Sequence, residues 1–94
     1  AFIFFLLDYF GYVSGYIKVI FDELYEFRNK IKDRLTLGFI THGGGGKAVD
    51  VLEKLITWDQ LQLLHPIIAV RQSTLDSITE GRIHQACQSL YDNL

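Results

Sequence analysis

Leu35-Thr36-Leu37-Gly38-Phe39-Ile40-Thr41-His42-Gly43-Gly44-Gly45-Gly46-Lys47-Ala48 decides the reading of this chain. Its first half, from Leu35 to Thr41, is a strand-like apolar run. From Ala48 onward, Val51, Leu52, Leu55 and Ile56 recur at the spacing of an amphipathic helix. Four consecutive glycines join the two. A glycine-rich turn from a strand into a helix lets backbone N–H groups approach a ligand closely, and the helix N-terminus favours anionic or electron-rich groups. The turn is therefore the first candidate for a site.

The same alternation extends in both directions. Phe2 to Leu7 is a continuous apolar run of the kind found in a strand covered on both faces. After a loop from Asp8 to Ser14, Ile17, Ile20, Phe21, Leu24 and Phe27 outline a helix with one core face, and Asn29 to Arg34 reads as a polar connector. Downstream of the glycines, Trp58 to Leu64 suits a packed connector to His65-Pro66 better than a prolonged helix. Ile67 to Val70 reads as a short buried strand and Arg71 to Gly81 as a polar loop. Ile83, Ala86, Cys87, Leu90 and Leu94 mark a last helix. Strand followed by helix, repeated, predicts an α/β fold with parallel strands, right-handed crossovers and helices on the sheet faces. Ligands bind such sheets at the carboxyl ends of the strands, which nominates three loops on one edge: Asp8 to Gly15, Thr41 to Lys47, and Arg71 to Gly81.

Composition bounds the function. The chain has 94 residues and a net charge of −2, enough for one small domain or part of one, with no basic footprint for nucleic acid or an anionic membrane. The greasy opening run is interrupted by Asp8 well short of the roughly 20 apolar residues of a membrane span, and no basic region precedes it as in a secretory signal. A single cysteine, Cys87, forms no internal disulfide, so the expected setting is reducing and cytoplasmic. The absence of methionine and a start inside a strand fit a fragment of a longer protein.

The glycine turn is not a Walker A loop, because Thr41 stands where that motif needs glycine and Ala48 where it needs Ser or Thr. Gly43, Gly45 and Ala48 do satisfy G-x-G-x-x-A, and Arg71-Gln72-Ser73 after the next strand suits a 2′-phosphate, so a Rossmann-type NADP binder is one reading. The loop Asp8-Tyr9-Phe10-Gly11-Tyr12-Val13-Ser14-Gly15 combines three aromatics with two glycines, a composition for walling a flat aromatic ligand. Among the histidines, His42 lies in the glycine loop, whereas His65 reads as a turn residue and His84 as surface. The spacing of these groups offers no zinc site. Cys87 falls on the apolar stripe of its helix and is expected to be an inert core thiol.

Tyr9-Phe10-Gly11-Tyr12-Val13-Ser14-Gly15-Tyr16-Ile17-Lys18-Val19-Ile20-Phe21-Asp22 resembles the aromatic-Phe-Gly-x-x-Ser-Gly-x-x-basic-x-x-Phe-Asp segment after the third strand of flavodoxins and flavodoxin-like NAD(P)H:quinone oxidoreductases. Thr41-His42-Gly43-Gly44-Gly45-Gly46 is similar to the glycine loop after their fourth strand. The resemblance implies a three-layer flavodoxin-like sheet of which residues 1–94 are the βαβαβα second half, strands three to five. The N-terminal half and its phosphate-binding loop would then lie outside the chain. It implies an FMN site whose isoalloxazine ring is walled by Tyr9, Phe10, Gly11, Tyr12, Ser14, Thr41, His42, Gly43, Gly44 and Gly45, with His42 near the pyrimidine edge of the ring. The implied activity is that of an electron carrier or an NAD(P)H-dependent quinone or FMN reductase. Its partners would be a flavin, a redox partner or quinone, and either a second copy or the missing half. Leu6-Leu7-Asp8 departs from the family's small residue, Pro and Thr at that place. A flavin-free binding module of the same fold is the remaining alternative.

Overall fold

The computed structural model describes residues 1–8, 10–43, 46–71 and 76–94. Its elements run β1 (Phe2–Leu7), α1 (Gly15–Tyr25), α2 (Arg28–Ile31), β2 (Leu35–His42), α3 (Ala48–Trp58), β3 (Gln62–Leu63), β4 (Ile68–Arg71) and α4 (Ser77–Asp92). The pairings of β1, β3 and β4 with β2 are all parallel, as the alternation of strand and helix requires. β1 lies along one edge of β2, with Phe2 opposite Thr36 and Leu7 opposite Thr41. β3 pairs with Leu35 and Thr36, and β4 with Phe39 to His42, so both occupy the other edge of β2 as one interrupted row. Helices cover the two faces, giving the α/β arrangement expected from the sequence.

The interruption between β3 and β4 has a packing cause. Ile67 turns onto Gly38 in the middle of β2, where a Cβ would stand 3.1 Å from both the Ile67 Cγ1 and the Leu52 Cδ2. The missing side chain lets Ile67 and the α3 residue Leu52 meet over the strand. They belong to the larger core, formed by Leu6, Phe21, Ile40, Leu52, Leu55 and Ile56 beneath α1 and α3. A smaller core on the opposite face joins Leu37, Phe39 and Ile68 to Ala86 and Leu90 of α4.

Several local expectations need correction. Asn29 to Arg34, expected as a plain connector, overlaps the single turn α2, whose Ile31 packs against the larger core. Trp58 completes α3, and Gln62–Leu63 is a short strand held by backbone bonds, Gln62 N–H to Arg34 C=O at 3.0 Å and Leu64 N–H to Thr36 C=O at 3.0 Å. α4 begins at Ser77, inside the expected loop, because Asp76 caps it by accepting from the Thr79 N–H at 2.7 Å. Its first turn carries the exposed Ile78, so no apolar periodicity announces it. Ile20 and Phe27 are exposed rather than on the core face of their segment. Cys87 is also exposed, because α4 rests chiefly on β2 and β4 and buries only the narrow stripe of Ala86 and Leu90; Leu94 lies beyond the helix end in solvent. The same limited cover leaves β1 buried on one face only, through Phe2, Phe4 and Leu6, while Ile3, Phe5 and Leu7 are exposed. No helix among the described residues is long and apolar enough to cross a membrane.

At the end of α3 away from the glycine turn, Asp59 is almost wholly buried and its Oδ2 has no hydrogen-bond partner among the described residues. Burial raises its pKa to about 6, the Asp22 carboxylate adds to the rise, and Lys18 and Arg28 oppose it. A carboxyl that holds its proton more tightly folded than unfolded subtracts stability where it is ionised. The loss should therefore set in as pH rises from about 4 and be complete above about 6. Asp59→Asn is expected to raise stability at pH 7 by on the order of 1 kcal/mol, since the amide still buries polar atoms, and to flatten the dependence between these pH values. Urea melts of both proteins across that range check it; an unchanged pH slope in the variant would contradict the assignment.

Candidate functional site

β1 and β2 run side by side and end together, so the loops that leave them emerge on one edge of the sheet. Asp8 joins the two loops. Its Oδ1 accepts from the Gly11 N–H at 2.7 Å, closing the first loop on itself, and its Oδ2 accepts from the Ala48 N–H at 3.0 Å, at the start of α3. The backbone adds an Asp8 N–H to Thr41 C=O bond at 2.9 Å. Lys47, the residue before α3, makes no side-chain cap of its own, so a carboxylate from another strand caps this helix.

Between the loops lies an open hollow of about 200 Å³ lined by Asp8, Phe10, Gly11, His42, Gly43, Gly46 and Lys47. Two glycines shape its walls by backbone conformations that other residues rarely adopt. Gly11 has φ +80° with Lys47 Cβ 3.3 Å from where its own Cβ would stand, and Gly46 has φ +65° with the His42 ring at the same distance. Phe10 also has a positive φ, 52°, and its side chain stands fully in solvent at the rim. A strained turn that holds a phenyl ring out of the core is costly unless something packs on the ring. His42 presents its ring to the hollow while its Nδ1 is buried without a partner among the described residues.

The sequence-derived site residues divide accordingly. Phe10, Gly11, His42 and Gly43 are brought together at the hollow. Tyr12 lines a different hollow, of about 190 Å³, between α1 and α3 with Lys18, Lys54 and Trp58. Ser14 caps α1, its Oγ accepting from the Ile17 N–H at 3.3 Å, so its oxygen serves the fold. Thr41 is directed to the other face: strand alternation groups it with Leu37 and Phe39 on the α4 side and sends His42 to the α3 side with Ile40. Tyr9, Gly44 and Gly45 lie outside the described residues, as do Gln72 and Ser73 of the third loop. Asp8, Gly46 and Lys47 were not counted as site residues from sequence. The Asp-x-x-Gly spacing of Asp8 and Gly11 is the signal for the turn they form, but the bond to Ala48 has no local signature.

Wider hollows of about 280 and 340 Å³ lie beside α3, the first rimmed by Asp50, Glu53, Lys54, Thr57 and Trp58 and the second by Val49, Glu53 and Leu63 to Ile67. Neither adjoins the glycine turn. No group of three His, Cys, Asp or Glu side chains suited to a metal ion occurs among the described residues.

The geometry bears on the choice of ligand. A pyrophosphate bound in the Rossmann manner needs the free N–H groups and positive end of the helix after the glycines. Here the Ala48 N–H is already taken by the Asp8 carboxylate, whose charge repels a second anion. A neutral planar ring with polar edges meets no such conflict: Phe10 offers a face at the rim, and Gly11 and Gly46 make room for Lys47 and the His42 ring to line the wall. Comparison of the chain with models of known protein families, with curated proteins and with solved structures gave no match.

Proposed function

We propose that this chain forms the isoalloxazine-binding side of a flavodoxin-like FMN protein, acting as an electron carrier or as an NAD(P)H-dependent quinone or FMN reductase. The observation that carries this reading is the hollow where the aromatic loop and the glycine turn meet, with Phe10 at its rim and His42 on its wall. A hollow of about 200 Å³ suits the edge of a tricyclic ring rather than a whole nucleotide. Bound flavin would supply the electron transfer. The chain's own part is to position the ring through Phe10, keep water from one side of it, and present the His42 ring to a polar edge of it. A partner quinone or redox protein would approach from the open side. A reducing, cytoplasmic setting accompanies this reading. The flavin-free binding module stays as the second class. The Rossmann-type NADP reading is disfavoured by the Asp8 carboxylate at the start of α3.

The reading assigns the FMN phosphate to a loop outside these 94 residues. Lost charge-assisted bonds, each worth roughly 1.5 to 3 kcal/mol, lower affinity by orders of magnitude. The chain should therefore bind FMN weakly and riboflavin equally weakly, since the phosphate contributes nothing. Quenching of flavin fluorescence on titration with the protein tests both. Submicromolar binding of FMN alone would reveal a phosphate site within the chain, and the absence of binding by either flavin would favour the flavin-free module.

A further inference from the structure

One flank of the molecule is unfinished in all three layers. Among the described residues β1 pairs only with β2, so its outer edge is open. The Asp8 N–H bonds to Thr41 C=O, which directs the even-numbered residues of β1 toward β2 and leaves the N–H and C=O groups of Ile3, Phe5 and Leu7 pointing outward. The same three residues show 58 %, 68 % and 43 % of their surface to solvent on the α4 side of the sheet. On the other side, α1 rests on β1 through Phe21 against Phe4, with ring centroids 4.6 Å apart. Lys18 marks the side of α1 that looks toward α3, since it shares a hollow with Val51, Lys54 and Trp58. Tyr16 and Ile20 lie about 160° around the helix from Lys18, above the open edge, and are 86 % and 45 % exposed.

β1 carries none of the charges, prolines or bulges that blunt an exposed edge. We propose that, in the 94-residue chain by itself, this flank is a two-fold interface whose occupant is a second copy of the chain, with β1 pairing antiparallel to its counterpart. Area supports that occupant. The five exposed side chains, on the two faces beside the open edge, present on the order of 700 Å² in all, close to the roughly 800 Å² that each partner contributes to a stable interface. Register follows from the alternation. Like faces must match across the axis and the outward groups must bond, which sets odd residues opposite odd ones; centring the pair on the three outward residues then places Phe5 opposite Phe5 of the partner subunit and Ile3 opposite Leu7 of the partner subunit. The same axis sets the two α1 helices side by side, so Tyr16 and Ile20 of each meet across it.

Sedimentation of the chain at micromolar and submillimolar concentrations should give a dimer. Phe5→Pro removes one outward N–H without touching a β1–β2 bond, and Ile20→Lys places a charge on the α1 stripe; each should lower the association constant at least 100-fold while the far-UV circular dichroism is kept. Trp58→Lys, on the α3 side, should leave the dimer intact. If Phe5→Pro does not fold, Ile20→Lys decides alone. A monodisperse monomer of the unaltered chain overturns the proposal, as does a dimer that survives Ile20→Lys unchanged; a monomer would mean that a different α/β segment completes this flank.

Discussion

Phe21→Ala should cost about 3 to 5 kcal/mol, enough to unfold much of the population of a domain this small. Phe21 is the one fully buried residue of α1, and its ring packs against Phe4 of β1 within the larger core. Its loss leaves a cavity that the surroundings cannot fill. The neighbouring α1 side chains Ile17 and Leu24 are only partly buried, and Phe4 is fixed in a strand that bonds along its whole length to β2. Because the aromatic loop leads directly into α1, the damage should reach the site: if the proposed flavin binding holds, the variant should lose it at the temperature at which its helix signal melts. Thermal and urea melts followed by circular dichroism measure the effect, and a loss below 1 kcal/mol would mean that α1 is not anchored by this ring.

Asp8→Ala is expected to have the second largest effect, on the order of 2 kcal/mol, and to act on the site more than on the fold. The carboxylate receives two backbone N–H groups, from Gly11 and Ala48, and bonds of this charge-assisted kind are individually worth roughly 1.5 to 3 kcal/mol, discounted here because the group is partly open to solvent. Without it the Phe10 turn loses its closing bond and α3 loses its cap. Asp8→Asn keeps one acceptor and should recover about half of the loss. The two readouts separate the roles: denaturant midpoints report the cap, and the amide resonances of Gly11 and Ala48 report the tie between the loops. If Asp8→Ala leaves both amides in place, the tie is not what holds the loops together.

The parts of this architecture that could be read from sequence are those in which an apolar run or stripe meets a continuous surface. β1, β2, α1 and α3 are of this kind, and the glycines between β2 and α3 mark their junction. What escaped was decided elsewhere in the chain. β3 exists because Gln62 and Leu63 pair with the start of β2, and α4 begins early because Asp76 caps it before any apolar residue is buried. Cys87 lies beside a stripe that looks wide enough for it, yet α4 packs mainly on β2 and β4 and buries only Ala86 and Leu90. In the site, the convergence of the two loops was legible from strand order. The Asp8 clamp was not, because its bond to Ala48 spans 40 residues of chain. Nor was the division of Thr41 from His42, which follows from the alternation of β2 carried to its last residues.

Under the proposed function a planar flavin ring meets this protein at the hollow between the Phe10 turn and the glycine turn. Titration of the isotope-labelled chain with riboflavin, followed by amide chemical-shift changes, tests it most directly. Shifts should be concentrated at Phe10, Gly11, His42, Gly43, Gly46 and Lys47, around the hollow, with the α4 face unmoved. Shifts scattered over the surface, centred on the hollows beside α3, or absent at saturating ligand would contradict it.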